Sequence, residues 1–263
     1  MNPPAAPNSD RVAQVRETLA PVCDPELDES VIELGFVTTI DVDAQGGVDI
    51  AFRLPTYWCS PNFAFLMADD MRSAVAALPW STRVGVHLAD HMDDAKINQG
   101  LAGGLSFSQT FGAEASGNLE ALRRTFAVKA FQRRQEKLLR HLLDAGHAAE
   151  ALLASSLEQL AALGLDDTGQ ALRTRYVDRR GVVEHGELAP HARAFVDEHG
   201  AALMANTLTQ YLRAMRLVGV NTEFNGALCR GLLQQRYGTG TGAGTPGASG
   251  APARTVHIMR QAA

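Results

Sequence analysis

Cysteine is scarce in this chain: Cys23, Cys59 and Cys229 are the whole complement in 263 residues, and no two of them form a Cys-x-x-Cys pair. So odd and sparse a count fits a reducing compartment rather than a disulfide framework. No uninterrupted apolar stretch approaches the roughly 20 residues that a membrane helix needs. The N-terminal Met1-Asn2-Pro3-Pro4-Ala5-Ala6-Pro7 has neither the basic segment nor the apolar run of a secretory signal. These absences predict a soluble, cytoplasmic protein with no membrane partner. Glu-x-x-His is also missing, which argues against a di-iron carboxylate bundle in the helical part. A net charge of −5 argues against general nucleic-acid binding.

What is present suffices for a buried core: 46% of the residues are hydrophobic and 20% charged. Residues 1–8 form a Pro-rich arm, expected to be disordered. Asp10 caps a first helix running to about Ala20, with Val12, Val15 and Leu19 at helical spacing, and Pro21 and Pro25 stop it. Phe36 to Val42 and Val48 to Leu54 are β-rich runs joined by the hairpin signal Gln45-Gly46-Gly47. Pro61 to Leu78 carries Phe63, Leu66, Met67, Met71 and Val75 on one helical stripe, and Arg83 to Leu88 reads as another strand. The expected fold of residues 9–98 is therefore α+β, in the order α-β-β-α-β, a small sheet with helices on one face. Residues 99–117, rich in Gly and Ser, read as a linker that packs against something, since Leu105, Phe107 and Phe111 are costly to expose.

An all-α domain is expected over 118–237. Asn118 caps a helix to about Asp144, and further helices are expected near 147–163, 167–179, 190–216 and 222–236, punctuated by Gly164, Gly181 and Gly219. The Gly/Thr/Ala/Pro-rich residues 238–263 read as a disordered tail.

The chemistry concentrates early in the chain. Asp24-Pro25-Glu26 leads to Glu33-Leu34-Gly35-Phe36-Val37, and the strand pair ends in Thr56-Tyr57-Trp58-Cys59-Ser60-Pro61, where a helix begins. A thiol at a helix N-terminus meets unpaired N–H groups and the positive end of the dipole, which favour the metal-binding thiolate. Carboxylates nearby add hard ligands or a base. From about Val12 to Leu88 this pattern resembles the SufT/PaaD-type domain of iron–sulfur cluster assembly factors. The likeness rests on Asp24-Pro25-Glu26, on Ser30-Val31-Ile32-Glu33-Leu34-Gly35-Phe36-Val37, and on Thr followed by Cys and Pro at a helix start. The family usually has Cys directly before Pro. Here Ser60 intervenes, which bears on where the thiol sits relative to the helix axis.

The resemblance implies that Cys59 handles a transient iron–sulfur cluster or iron, with Asp24 as a further metal ligand and Glu26, Glu33 and Thr56 as neighbours of the site. Thr56 is expected to order its loop through a hydroxyl–backbone bond, and Asp24-Pro25-Glu26 also has a plain reading as a turn. Cys23, His87 and His91 are further metal candidates, although His87 falls at a strand end, where a His-x₃-His spacing loses its helical meaning. Cys229 reads as packed core. One cysteine cannot complete a four-ligand cluster site, so a labile, shared cluster is implied. The chain also lacks a P-loop, unlike ATP-using cluster scaffolds.

Arg123, Arg124, Lys129, Arg133, Arg134, Lys137 and Arg140 give the first long helix a basic excess, read as a solvated face or a docking surface for an acidic client. Ser106-Phe107-Ser108-Gln109-Thr110-Phe111 and Asn221-Thr222-Glu223-Phe224-Asn225 resemble long-form assembly proteins encoded beside bacterial soluble di-iron monooxygenases. The expectation is a non-catalytic maturation factor that delivers iron or a cluster to a client metalloprotein. Monooxygenase components, other assembly factors and a second copy of the chain are the candidate partners. A metal-free chaperone of an oxygenase complex and a thiol-dependent enzyme using Cys59 are the alternatives.

Overall fold

The computed structural model describes residues 8–112, 119–184 and 188–238. The expected arm, part of the expected linker with its Asn118 cap, and the expected tail from residue 239 lie outside the described residues.

The N-terminal half is α+β. Helix α1 (Asn8–Leu19) is followed by the two-residue strands β1 (Cys23–Asp24) and β2 (Glu29–Ser30), which pair antiparallel. A three-stranded sheet then forms in the order β3-β4-β5 from Val37–Val42, Gly47–Arg53 and Arg83–Ala89. Strands β3 and β4 are antiparallel, with Asp41 opposite Asp49 and a bulge between Val37 and Thr39. Strands β4 and β5 are parallel, so the connection between them must cross the sheet. Helix α2 (Pro61–Ala76) makes that crossing. In the hairpin turn, Asp43 Oδ1 accepts from Gln45 N and Gly47 N, and Gly46 sits at φ +88° against the Trp80 carbonyl, where a Cβ would collide.

The period-two alternation of β4 decides which face is buried. Val48, Ile50 and Phe52 point inward with Val86 and Leu88 of β5, and pack on Val15 and Leu19 of α1 and on Phe65, Met67, Met71 and Val75 of α2. The other face is polar, as the exposed Arg83–Asp49 pair shows. Helices therefore cover one face, as the pattern predicts.

Two short helices occupy sequence expected to be loop or linker. Helix α3 (Asp94–Ala102) buries Ile97 and Leu101, and α4 (Phe107–Phe111) buries both of its phenylalanines. Too few turns were available for a visible period, but Ser106 and Gln109 form a capping box, and Phe107 meets Phe65 edge-on at 5.5 Å. Leu105 stays 41% exposed.

The rest is helical and has its own core, as expected. Helix α5 (Leu119–Asp144) packs on α8 (Asp167–Arg180), and a 3-10 turn follows at Gly181–Val183. Between them lie α6 (Ala149–Ala154) and α7 (Leu157–Ala162), where one helix was expected; the Ser156–Gln159 capping box starts α7 afresh. Of the helix expected over 190–216, only residues 208–216 are helical, as the start of the last helix. Residues 188–207 are irregular because extended backbone carries Phe195 and Val196 into the core. Gln135 holds that segment, donating to the Val196 carbonyl at 2.7 Å and accepting from Val196 N at 3.2 Å. Helix α9 (Leu208–Tyr237) then runs unbroken for 30 residues, straight through Gly219, where a break was expected.

Part of the basic excess of α5 turns inward, while Arg124, Lys129, Lys137 and Arg140 stay exposed. Arg123 pairs with Asp70 of α2, and Arg134 pairs with Asp28 in the β1–β2 turn at 2.6 Å, with Arg133 at 3.4 Å from the same carboxylate. Arg123, Arg133 and Arg134 thereby join the two halves of the chain.

Candidate thiol and metal site

The end of β4 leads through Pro55-Thr56-Tyr57-Trp58-Cys59 to Ser60, the residue before α2, and Pro61 opens the helix. Proline suits this position because its missing N–H has no partner to lose in the first turn. Phe63 N and Ala64 N bond to the Ser60 carbonyl, so Cys59 stands one residue outside the helix, half-buried. That is where the inserted Ser60 puts the thiol.

Three contacts hold this loop. Thr56 Oγ1 lies 3.1 Å from Cys59 Sγ, a thiol–hydroxyl bond rather than the expected hydroxyl–backbone one. Met92 N donates to the Tyr57 carbonyl at 2.8 Å. His91, only 1% exposed, has Nε2 2.8 Å from the Cys59 carbonyl and Nδ1 3.1 Å from Asp93 N. Since Nδ1 accepts from a backbone N–H, Nε2 must carry the proton and donate. Both ring nitrogens are thereby committed to the backbone, and His91 positions the loop. His87 is exposed on β5, on the opposite face from the buried Val86 and Leu88.

Asp24 closes β1 where the chain turns toward β2. Its Oδ1 accepts from Glu26 N at 2.9 Å and Leu27 N at 2.8 Å, the Asx-type turn expected of Asp24-Pro25-Glu26. Among the described residues its Oδ2 has no hydrogen bond. Burial pushes the carboxyl up to about 6 against those two N–H bonds, with Glu26 and Glu29 adding to the rise.

Cys23 and Asp24 line together a cavity of about 540 Å³ between the two halves, with Asp70, Arg123 and Arg179, and the Cys23 thiol is raised by burial and by Asp28. Glu33 lines a charged cleft of about 260 Å³ with Arg133 and Lys137.

Sequence reasoning expected a helix near 222–236 but not that it borders the site. Helix α9 lays one stripe along it. Asn225 Nδ2 donates to Glu26 Oε1 at 3.1 Å, Arg230 pairs with Glu29, and Leu233 lies against Gly35. At the end of the helix Arg236 pairs with Asp90 at 2.7 Å, and the Tyr237 hydroxyl donates to Asp90 Oδ2 at 2.6 Å. The Arg53 guanidinium stacks 3.8 Å over the Tyr237 ring. Cys229 sits in the middle of this stripe, half-buried. Burial, then the charges of Asp24, Cys59 and Glu26, push its thiol up to about 11. The only sequence signal for this was the spacing 225, 229, 233, 236, one face of a helix.

The N-terminal half offers the Cys59 sulfur with the Thr56 hydroxyl beside it and, in the β1–β2 turn, the buried Asp24 carboxylate. Among the described residues, no three His, Cys, Asp or Glu side chains stand ready together to hold a metal ion. No helix among them is long and apolar enough to cross a membrane.

No curated protein and no solved structure matches the chain. A family described as iron-sulfur cluster assembly protein matches residues 12–88, the stretch that carries Asp24, Thr56, Cys59 and the whole three-stranded sheet up to Leu88. The N-terminal part of this chain is a domain of that iron–sulfur cluster assembly family.

Proposed function

We propose that this protein is a cytoplasmic maturation factor that holds iron or an iron–sulfur cluster briefly at Cys59 and passes it to a client metalloprotein. The observation that carries this reading is the Thr56–Cys59 pair, fixed by His91 at the entrance to α2 within the family-matched stretch. Iron and its clusters are cargo here, not a resident cofactor. Cys59 supplies a soft ligand and Asp24 a hard one, fewer than a four-coordinate iron requires, so the remaining ligands come from elsewhere and the cargo stays exchangeable. The Thr56 hydroxyl is placed to donate to the sulfur once metal has displaced its proton. The role is delivery rather than catalysis. Trp58, 73% exposed, and Tyr57 stand beside Cys59 and offer a client an apolar rim. The client is a component of a di-iron monooxygenase, as the likeness of Ser106–Phe111 and Asn221–Asn225 to assembly proteins encoded beside such enzymes suggests.

Anaerobic reconstitution with iron and sulfide tests this, comparing wild type with Cys59→Ala by absorption and Mössbauer spectroscopy. A cluster signal in wild type that is lost in the variant is expected. Equal signals in both would remove Cys59 from the function.

A second reading, a metal-free accessory chaperone, has one observation in its favour. Leu217, Phe224 and Leu228 form an exposed apolar stripe on α9. This reading predicts client binding that survives Cys59→Ala unchanged.

A further inference from the structure

The cavity of about 540 Å³ between the two halves is walled by the end of α1, the turn after β1, α2, α5 and the end of α8. Its size falls within the roughly 300–1,000 Å³ of sites that take small organic ligands. Val22, Leu66, Phe126 and Ala130 give it an apolar wall. Two of the three carboxylates that line it are already matched by cations: Asp70 lies 2.6 Å from Arg123, and Asp28 lies 2.6 Å from Arg134. The third is Asp24, 9% exposed, whose Oδ1 is held by Glu26 N and Leu27 N and whose Oδ2 has no hydrogen bond among the described residues. The turn needs one acceptor oxygen, which asparagine would supply equally well. A buried carboxylate is costly without a cation or donors on both oxygens, so this charge calls for a partner that enters the cavity.

Arg179 supplies the opposite sign. It lies 3.8 Å from Asp28 and 3.9 Å from Asp178 but makes no hydrogen bond among the described residues, and its buried Nε is without an acceptor. Arg134 has already taken both oxygens of Asp28. The cavity therefore holds one carboxylate and one guanidinium, each short of a hydrogen-bonding partner, beside an apolar surface.

We propose that this cavity binds a small zwitterion, a peptide of two or three residues with apolar side chains, its ammonium group bonded to Asp24 Oδ2 and its carboxylate to Arg179. Charge-assisted bonds at both ends fix the direction of the ligand, and the apolar wall takes its side chains. Cys59 does not line the cavity, so the site stands apart from the thiol at the entrance to α2. Asp24 belongs to both: an ammonium on Oδ2 occupies the oxygen that the cargo reading gives to iron, so on that reading peptide and iron exclude each other there.

Isothermal titration of the full-length protein with the dipeptide Leu-Leu, its N-acetyl form and its C-terminal amide tests the assignment. Leu-Leu is expected to bind, and each blocked form to bind about tenfold or more weakly, the loss of one charged hydrogen bond. Asp24→Asn keeps the Oδ1 acceptor of the turn and is expected to lose the discrimination against the N-acetyl form while keeping that against the amide. Arg179→Gln should do the reverse. Because ratios within one variant are compared, a change in stability common to all three ligands does not alter the reading. No binding of Leu-Leu, equal binding of either blocked form to wild type, or variants that keep both ratios would overturn the proposal.

Cys23 lines the same cavity and gives a second readout. Saturating Leu-Leu is expected to slow alkylation of Cys23 by iodoacetamide several-fold and to leave Cys59 and Cys229 at their free rates. Unchanged alkylation of Cys23 would place the peptide elsewhere and overturn the proposal.

Discussion

Arg134 and Asp28 form a two-pronged ion pair across the two halves of the chain: Nε donates to Oδ2 at 2.7 Å and the second nitrogen meets Oδ1 at 2.6 Å. The residues are 8% and 4% exposed, and Asp28 reaches its position through a left-handed backbone at φ 53°. This contact, with Arg123–Asp70 beside it, fixes how α5 sits on the assembly domain. A buried pair of this kind is costly to break on one side and much less costly to replace whole. Arg134→Met is therefore expected to destabilise the fold by about 3–5 kcal/mol. Arg134→Met combined with Asp28→Leu should recover a substantial part of that loss. Urea denaturation of the two single variants and the double variant checks it; strict additivity would contradict the coupling.

Asp24 gives a pH dependence with a definite sign. Burial raises its folded-state pKa to about 6, above the usual carboxylate value. Its ionisation therefore opposes folding: the penalty is absent below about pH 4, grows as pH rises from about 4 to 6, and is fully present above that. Asp24→Asn keeps the Oδ1 acceptor, so it is expected to stabilise the protein at pH 7 by about 1–3 kcal/mol and to change little at pH 4. The same variant should bind iron more weakly, a trade between stability and function. Thermal unfolding across pH, with iron titration at pH 7, separates the two effects.

His91 is expected to matter for position rather than ligation. His91→Ala leaves the Cys59 carbonyl and Asp93 N without their partners, costing about 2–3 kcal/mol by the usual penalty for unmade buried bonds. At saturating iron the bound stoichiometry should stay that of wild type, with weakened affinity, whereas Cys59→Ala loses binding. Iron titration alongside urea denaturation tests this. Loss of stoichiometry in stable His91→Ala protein would make the histidine a ligand.

The anchors of α9 are polar and lie near the surface, so they should yield to salt and to small substitutions. Tyr237→Phe combined with Arg236→Gln is expected to speed alkylation of Cys229 several-fold and to leave Cys23 unchanged. Timed alkylation with peptide mass analysis reads this directly.

The assembly domain was legible because its elements report themselves locally. Val48, Ile50 and Phe52 alternate, Phe65 to Val75 repeats at helical spacing, and Pro61 marks a helix start. Asp24 and Cys59 stand in a recognisable order for the same reason. What escaped depended on partners distant in sequence. Helices α3 and α4 are too short for periodicity, and Phe195 is held in extended backbone by Gln135, 60 residues earlier. Gly219 does not end α9, because glycine in a helix costs only about 1 kcal/mol and the packing of both halves outweighs it. The solvated-face reading of α5 holds for Arg124, Lys129, Lys137 and Arg140, but it missed Arg123 and Arg134, whose partners Asp70 and Asp28 lie in the other half of the chain. Cys229 packs against a core as expected, but that core belongs to the N-terminal half, which its own helix could not show.

The length of chain between Cys59 and α9 sets an order of events during synthesis. The ribosome adds roughly 5–20 residues per second, so the assembly domain is made about seven to thirty seconds before α9 is complete. For that interval the nascent protein displays Asp24, Thr56 and Cys59 with no helix lying across them. On the proposed reading of Cys59, the newborn chain is the form most open to loading from a donor.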